Sequence, residues 1–455
     1  MFRRLGLIVG LALAPLAAQA TGQVSDFTLD NGLQVVVVED HRSPSVTHMI
    51  WYRAGAADEL PGQGGVAHLL EHLMFNSTDD MEAGEFSATV EANGGSDNAF
   101  TSWDYTAYHQ TVSSDRLGLM MQMEADRMRD LVLVPEEVET EISVVLEERA
   151  QRTDGSPGAL FNEQMSATYF RNHAYGRPII GWRHEIQNLT IEMLQDWYDL
   201  HYHPNNAILV VAGDVTPEEV RALAEEHYGP IPASPDIASV ESRMRPVEPP
   251  QDALRRVYYE DDRVANPYVS ILFPVDDTLV NDVRSAATME LLRAVLSDRD
   301  FTSVFARELQ IDNELSLFAA AYYSATSLDH RPFTLLNMPV PGRSLEQAED
   351  DILAVLDEFL EDGIDEEAFN RILFQWEASQ IYAQDDAAGQ AQSLGATLTT
   401  GFTVEDWENW LDITATITTD EVMEMARALF AQDPAVIGYL DRPAPDADET
   451  EEVSQ

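Results

Sequence analysis

The residues with the clearest chemistry are two histidines and a glutamate within five positions, in the sequence His68-Leu-Leu-Glu71-His72. In a helix these three side chains stand at positions i, i+3 and i+4, so they leave from one face. Two imidazoles one turn apart can bind one zinc ion at about 2.0–2.1 Å. Glu71 would then be a general base that takes a proton from the attacking water. Two core histidines and a chance glutamate are the alternative, so the motif counts only with its context.

A third ligand is needed, and a helix predicted from Pro135 offers candidates beside its apolar stripe. At about 100° per residue, Glu141 and Glu148 superpose within about 20°, whereas Glu147 is rotated by about 100° from Glu148. Glu148 is therefore a more plausible ligand than Glu147. Ordinary surface carboxylates are the alternative, which is the usual fate of glutamate. Because the chain has 0 cysteines, nitrogen and oxygen must hold any metal.

The surroundings of the motif resemble the pitrilysin/insulinase family of inverted-motif zinc peptidases, in particular its two-domain processing-peptidase branch. In that family the third ligand is a glutamate about 75 residues after the second histidine. Here 75 residues separate His72 from Glu148. The family's second glutamate, seven positions earlier, falls on Glu141. Further matching segments are residues 64–67, 74–76, 98–101, 104–108, 176–181, 203–207 and 213–214.

The resemblance implies one zinc ion per chain and a role for each matching residue. The metal would lie on His68, His72 and Glu148, with Glu71 as the general base and Glu141 as a second catalytic carboxylate that supports the ligands. The family's substrate-binding edge strand, which adds the peptide backbone to the sheet, matches Asn98, Ala99, Phe100 and Thr101. For Asn98, a turn residue that caps a strand is the alternative.

By resemblance the chain is a zinc-dependent endopeptidase that cleaves peptides or unfolded protein segments. The alternative is a non-catalytic scaffold or partner subunit of a peptidase-like complex, for which the metal motif would be unnecessary. In many relatives an arginine and a tyrosine seven positions apart hold the substrate carbonyl. Arg307 matches that arginine, but the next position of the pair is Glu314. We therefore expect a related, metal-free subunit to complete the site, with a homodimer as the alternative.

The elements that must position these residues follow one order twice along the chain. In the first half, strands are predicted at 33–40, 46–53, within 97–112 and at 206–212, with helices at 65–76, 85–91, 114–130, 135–152, 157–170 and 217–227. In the second half, strands are predicted at 256–259, 268–273, 314–324, 332–340 and 435–440, with helices near 281–297, at 301–310 and after 340.

This order predicts an α+β fold of two similar sandwich domains, each a sheet backed by helices, and the resemblance implies a chamber between them. The expected boundaries are a zinc-binding domain at 21–241, a proline-rich linker at 242–251 and a metal-free domain at 252–443. An acidic tail follows at 444–455.

The first residues and the net charge indicate where the protein works. Residues 1–4 are a short basic start, residues 5–16 are apolar, and Ala18-Gln19-Ala20 is a cleavage site, so residues 1–20 read as a signal peptide for export to the periplasm or medium. No later stretch is long and apolar enough to span a membrane. A net charge of −53, from 80 acidic and 27 basic residues, argues against binding to nucleic acids or anionic membranes. The acidity could attract cationic peptides, or it could simply be a solvated coat.

Overall fold

Two sheets of closely related topology organise the chain, one in each half. The computed structural model describes residues 24–237, 243, 245–298, 302–383 and 385–443. The predicted signal peptide and acidic tail lie outside the described residues, as does part of the predicted linker.

The first sheet has six strands, of which the buried β6 lies near the centre. The strands are β1 (Val24–Thr28), β2 (Gln34–Glu39), β3 (Ser45–Tyr52), β4 (Ser96–Thr101), β5 (Thr106–Ser113) and β6 (Ala207–Gly213). Their spatial order is β1-β2-β6-β3-β5-β4, with β2 parallel to β6 and the other pairs antiparallel. β4 is therefore an edge strand that pairs only with β5.

Eight helices accompany this sheet in the described part of the first half. They are α1 (Val66–Leu73), α2 (Glu85–Ala92), α3 (Leu117–Arg129), α4 (Pro135–Arg149), α5 (Pro157–Tyr169), α6 (Arg183–Ile186), α7 (Ile191–His201) and α8 (Pro217–His227). Local sequence explains their starts: α4 and α8 begin with proline, and Thr216 and Glu219 form a capping box on α8.

The second half repeats this plan. Its five-stranded sheet has the order β7-β11-β8-β10-β9, with β7 parallel to β11 as β2 is to β6. The strands are β7 (Arg255–Glu260), β8 (Tyr268–Phe273), β9 (Ser316–Tyr322), β10 (Phe333–Pro339) and β11 (Val436–Asp441). The helices are α9 (Val283–Leu296), α10 (Leu345–Asp362), α11 (Glu366–Ala383), α12 (Ala387–Thr399), α13 (Val404–Ala415) and α14 (Thr419–Phe430). The predicted α+β class, with two similar mixed sheets backed by helices, is confirmed.

Each half lends one helix to the other half's sheet. From the second half, α12 covers the outer face of the first sheet, where Leu394 packs with Trp51 and Val210. In return, α5 covers the second sheet, where Met165 packs with Val436. These contacts bury apolar residues on the outer face of each sheet and join the halves through two separate cores.

Two parts of the chain differ from the sequence predictions. β1 was not predicted, because this edge strand is only partly buried and lacks a clear alternation of apolar residues. The helix predicted at 301–310 is a short helical stretch at 304–311 whose last part, Ala306–Ile311, has π-helical hydrogen bonding.

Candidate metal centre and active site

The helix α1 presents the metal motif because its leucines anchor it in the core. Leu69, Leu70 and Leu73 are buried, which leaves His68 and His72 half-buried on the opposite side. The helix begins after Gly65, whose φ of 91° favours glycine. A Cβ at Gly65 would also lie 2.6 Å from the carbonyl oxygen of Ile180, so the tight approach of two loops requires glycine here.

A buried carboxyl holds the start of α1. Glu59 Oε1 accepts hydrogen bonds from the backbone N–H groups of Gly65 and Ala67, at 3.0 and 3.1 Å. Burial raises the pKa of Glu59 to about 8 despite these two hydrogen bonds. Nothing in the sequence pattern marked Glu59, which lies nine positions before the first motif histidine.

The helix α4 runs against α1 and brings Glu148 to both imidazoles. Glu148 Oε2 lies 3.7 Å from His68 Nε2 and 3.4 Å from His72 Nε2. Glu141, two turns earlier, lies 3.2 Å from His72 Nδ1 through its Oε2. Glu147 is exposed and instead accepts a hydrogen bond from Gln151 Nε2 at 2.8 Å.

This arrangement fits a zinc ion. Zinc bonds of about 2.1 Å in a tetrahedron place neighbouring ligand atoms about 3.4 Å apart. The distances from Glu148 to the two histidines match that spacing, and the three donor atoms all lie within 4.8 Å of one another. Among the described residues, His68, His72 and Glu148 form the one such group of potential ligands.

The two motif histidines differ in how readily they take up a proton. Burial lowers the pKa of His68 to about 3, and the nearby His72 adds to this effect, so the His68 imidazole is neutral with a lone pair to give. Burial also opposes the charged form of His72, but the hydrogen bond to Glu141 and the surrounding carboxylates outweigh it and raise its pKa. That hydrogen bond engages Nδ1, which leaves Nε2 directed at Glu148.

The buried Glu71 is held by a threonine of the edge strand. Thr101 Oγ1 donates a hydrogen bond of 2.5 Å to Glu71 Oε2. Burial raises the pKa of Glu71, and the bond from Thr101 only partly opposes this. Thr101 was predicted as a substrate contact, and the structure gives it this direct contact with Glu71.

The predicted edge strand borders the site. Asn98, Ala99, Phe100 and Thr101 all line the cavity that contains the metal motif. The N–H of Ala99 donates to the Asn98 side chain at 2.9 Å, so it is not used in pairing with β5. The outer edge of β4 therefore offers backbone groups on the side away from β5.

The cavity has a volume of about 650 Å³ and contains residues that the sequence analysis missed. Arg152, in the turn after α4, forms an ion pair with Glu148 Oε1, and its spacing of four residues could have revealed it. Trp103 and Arg177 also line the cavity. An adjoining cavity between the halves shares Trp103 and contains Tyr322 and Tyr323 of the second half.

The structure does not bring Arg307 to this cavity within one chain. Its side chain is 51% exposed and forms an ion pair with Glu308 at 2.9 Å. Glu314, seven positions on, has a φ of 51° in the left-handed region. Arg307 therefore stays a prediction that concerns an assembly of chains.

Among the helices of the described residues, none combines the length and apolar character that a membrane crossing requires.

Comparison with known proteins agrees with this geometry. Residues 34–182 match the family model for insulinase (peptidase family M16), and residues 188–376 match the M16 peptidase inactive domain. The zinc protease PqqE of Helicobacter pylori is 30% identical over 387 residues, which are 84% of this chain and 86% of that protein.

Two solved structures extend the similarity. A protease from Helicobacter pylori has a TM-score of 0.85 and 26% identity, covering 93% of this chain and 100% of that one. The first half of the periplasmic protease PqqL from Escherichia coli, at 20% identity, shares the fold with a TM-score of 0.75 over 95% of this chain and 97% of that one. The chain therefore belongs to the insulinase family of peptidases, family M16, as its motif residues predicted.

Proposed function

We propose that the chain is a zinc-dependent endopeptidase that cleaves peptides or unfolded protein segments. The observation that carries the proposal is the meeting of His68, His72 and Glu148 at tetrahedral spacing, beside Glu71 and the open edge of β4. One zinc ion on these three ligands would polarise the scissile carbonyl and make the attacking water more acidic.

The chain's own residues would do the rest of the chemistry. Glu71 would accept a proton from the attacking water and return it to the leaving amine, and its raised pKa suits a general base near neutral pH. Thr101 would orient the Glu71 carboxylate, and Glu141 would hold the His72 ring. Backbone groups of β4 would bind the substrate as an added strand.

The test separates metal binding from catalysis. We expect Glu71→Gln to keep zinc, measured by elemental analysis, and to lose at least about 10²-fold in kcat on a quenched-fluorescence peptide mixture. Glu147→Gln, a nearby exposed position with the same chemical change, should keep both. Turnover at the wild-type level by zinc-loaded Glu71→Gln protein would contradict the assignment of Glu71 as the general base, whereas no turnover by the zinc-loaded wild type would support the scaffold function.

Two further features belong to the same proposal. We expect export to the periplasm or medium, supported by residues 1–20 and by the periplasmic location in the name of the PqqL relative. We also expect a related metal-free subunit or a second copy to complete the site, because Arg307 lies away from the cavity in this chain. Activity and mass of the protein purified alone test this point: full activity from a monomer would refute a shared site.

A further inference from the structure

A second cavity, of about 450 Å³, lies in the second half at the position that the metal cavity occupies in the first. In the two strand orders, β9 corresponds to β4 and β10 corresponds to β5. Along the chain, five α-helices lie between β5 and β6, and five lie between β10 and β11. By that order α9, α11 and α12 correspond to α1, α4 and α5. The first cavity is lined from α1, the end of α4 and α5, and the second from α9, the end of α11 and α12.

The walls of this second-half cavity are aromatic where the first has metal ligands. Trp376, Trp407 and Trp410 line it together with Phe402, and these side chains are half-buried. Trp407 is held by a hydrogen bond from its Nε1 to Ser393 Oγ at 3.0 Å. Phe402 and Trp410 stack edge to face with ring centroids 6.2 Å apart. These two contacts hold Trp407, Phe402 and Trp410 in the wall.

The charge of the cavity has one sign. Glu290, Glu408 and Asp412 contribute to its lining, and no basic residue does so among the described residues. Glu290 is already paired, since it accepts hydrogen bonds from Arg293 Nε at 3.0 Å and from the N–H of Ala325 at 3.1 Å. Glu408 and Asp412 are exposed at the cavity and form no ion pair with any described residue.

We propose that the second-half cavity binds an organic cation, an ammonium or guanidinium group carried on an apolar stem. Tryptophan faces attract such cations more strongly than other aromatic rings do, and nearby carboxylates complete the recognition. The volume accepts more than a single side-chain head group. The cation could belong to a peptide's basic side chain or to a free polyamine, which share this chemistry.

The test titrates the full-length protein with three probes and follows tryptophan fluorescence and calorimetric heat. Three of the chain's 7 tryptophans line the cavity, so occupancy should change the emission. N-acetyl-arginine amide represents a peptide side chain, spermidine represents a free polyamine, and N-acetyl-citrulline amide is the neutral control. We expect saturable binding of at least one cation and none of citrulline amide. The tighter of the two cations identifies the source.

Paired variants make the result specific to the cavity. The double variant Glu408→Gln/Asp412→Asn should weaken cation binding at least about five-fold, because two nearby charges are lost. Glu405→Gln, on the same helix but outside the cavity, should change it less than about two-fold. Equal loss in both variants, equal binding of citrulline amide, or no saturable binding of either cation would overturn the proposal. These readouts need no peptidase activity, so they are independent of the proposed function.

Discussion

Among single residues, Glu148 divides its two carboxylate oxygens between two tasks. Oε2 faces both imidazoles, while Oε1 pairs with Arg152, whose side chain is 77% exposed. An exposed ion pair contributes little to stability, but it can fix the orientation of a carboxylate. Arg152 therefore holds the proposed third ligand in the direction that the two histidines require.

This geometry predicts different effects for two adjacent glutamates. Glu148→Gln should reduce zinc retention on dialysis by at least about ten-fold, because it removes a charged ligand. Glu147→Gln should retain zinc like the wild type, since Glu147 contacts Gln151 and points away from the histidines. Zinc content measured by mass spectrometry checks both. Similar retention by the two variants would contradict the assignment of Glu148.

A second prediction concerns the buried Glu59. Its folded-state pKa of about 8 exceeds the usual 4.5, so between these values the folded state keeps a proton that the unfolded state loses. This difference makes the free energy of unfolding fall as pH rises through that range. Glu59→Gln should remove this part of the decline, measured by denaturant unfolding from pH 5 to 8. The exposed Glu91→Gln variant is the control and should follow the wild-type curve. If Glu59→Gln also follows that curve, the Glu59 carboxyl is ionised in the folded protein across this pH range.

Residue types in the sequence predicted part of this site but not its contacts. The i, i+3, i+4 spacing predicted that His68, Glu71 and His72 share a face, because helical geometry alone determines it. The hydrogen bond from Thr101 to Glu71 joins two elements 30 positions apart, so it depends on how β4 packs beside α1. Periodicity carries no information about such packing.

Among the elements, β4 is an edge strand in which a side chain covers one of the strand's own backbone N–H groups. The Asn98 carboxamide accepts the N–H of Ala99, which otherwise faces solvent unpaired. A bound peptide strand would displace this contact and take the N–H itself. Asn98 thus covers a backbone donor that the proposed substrate strand would use, and this cover also limits pairing of the edge with other chains.

The edge strand gives a prediction about substrate binding. Ala99→Pro removes the outward N–H, so it should raise KM at least about five-fold or abolish cleavage, while zinc content stays unchanged. The control is Asn98→Ala, which keeps the N–H of residue 99 and should bind substrate at least as well as the wild type. Unchanged kinetics for Ala99→Pro would mean that the substrate lies elsewhere.

Prediction of the elements succeeded where burial leaves a clear pattern. The continuous apolar run of β6 identified a buried strand, and the structure shows it buried on both faces. α12 was covered only by the general expectation of helices after residue 340, and nothing local indicates that it packs on the opposite half. Its partner residues lie in β3 and β6, so only the complete fold determines that placement.

For the whole molecule, two glycines allow the exchanged helices to approach the sheets. A Cβ at Gly395 of α12 would lie 2.1 Å from Trp51, and one at Gly438 of β11 would lie 2.2 Å from Met165. A glycine therefore permits close packing both where α12 meets the first sheet and where α5 meets the second sheet. Each half depends on the other for a covered sheet, which predicts that the two unfold together.

This dependence can be measured with matched glycine substitutions. Gly395→Ala should lower the free energy of unfolding by about 1–3 kcal/mol, because the methyl group overpacks the contact with Trp51. Gly158→Ala, at a helical position where the nearest atom is 3.6 Å from the added carbon, should be neutral or slightly stabilising. Denaturant unfolding followed by tryptophan emission and circular dichroism should give one transition for each protein. A variant Gly395→Ala as stable as the wild type would contradict the packing.

The exchange of α5 and α12 also determines when the chain can finish folding during its synthesis. Trp51 leaves the ribosome roughly 340 residues before its covering helix, so this contact has a very long loop to close. Until residues 387–399 emerge, Val36, Met49 and Trp51 of the first sheet lack the α12 side chains that pack on them in the folded protein. A nascent chain therefore exposes a broad apolar surface to solvent during most of its synthesis. Chaperones recognise surfaces of this kind.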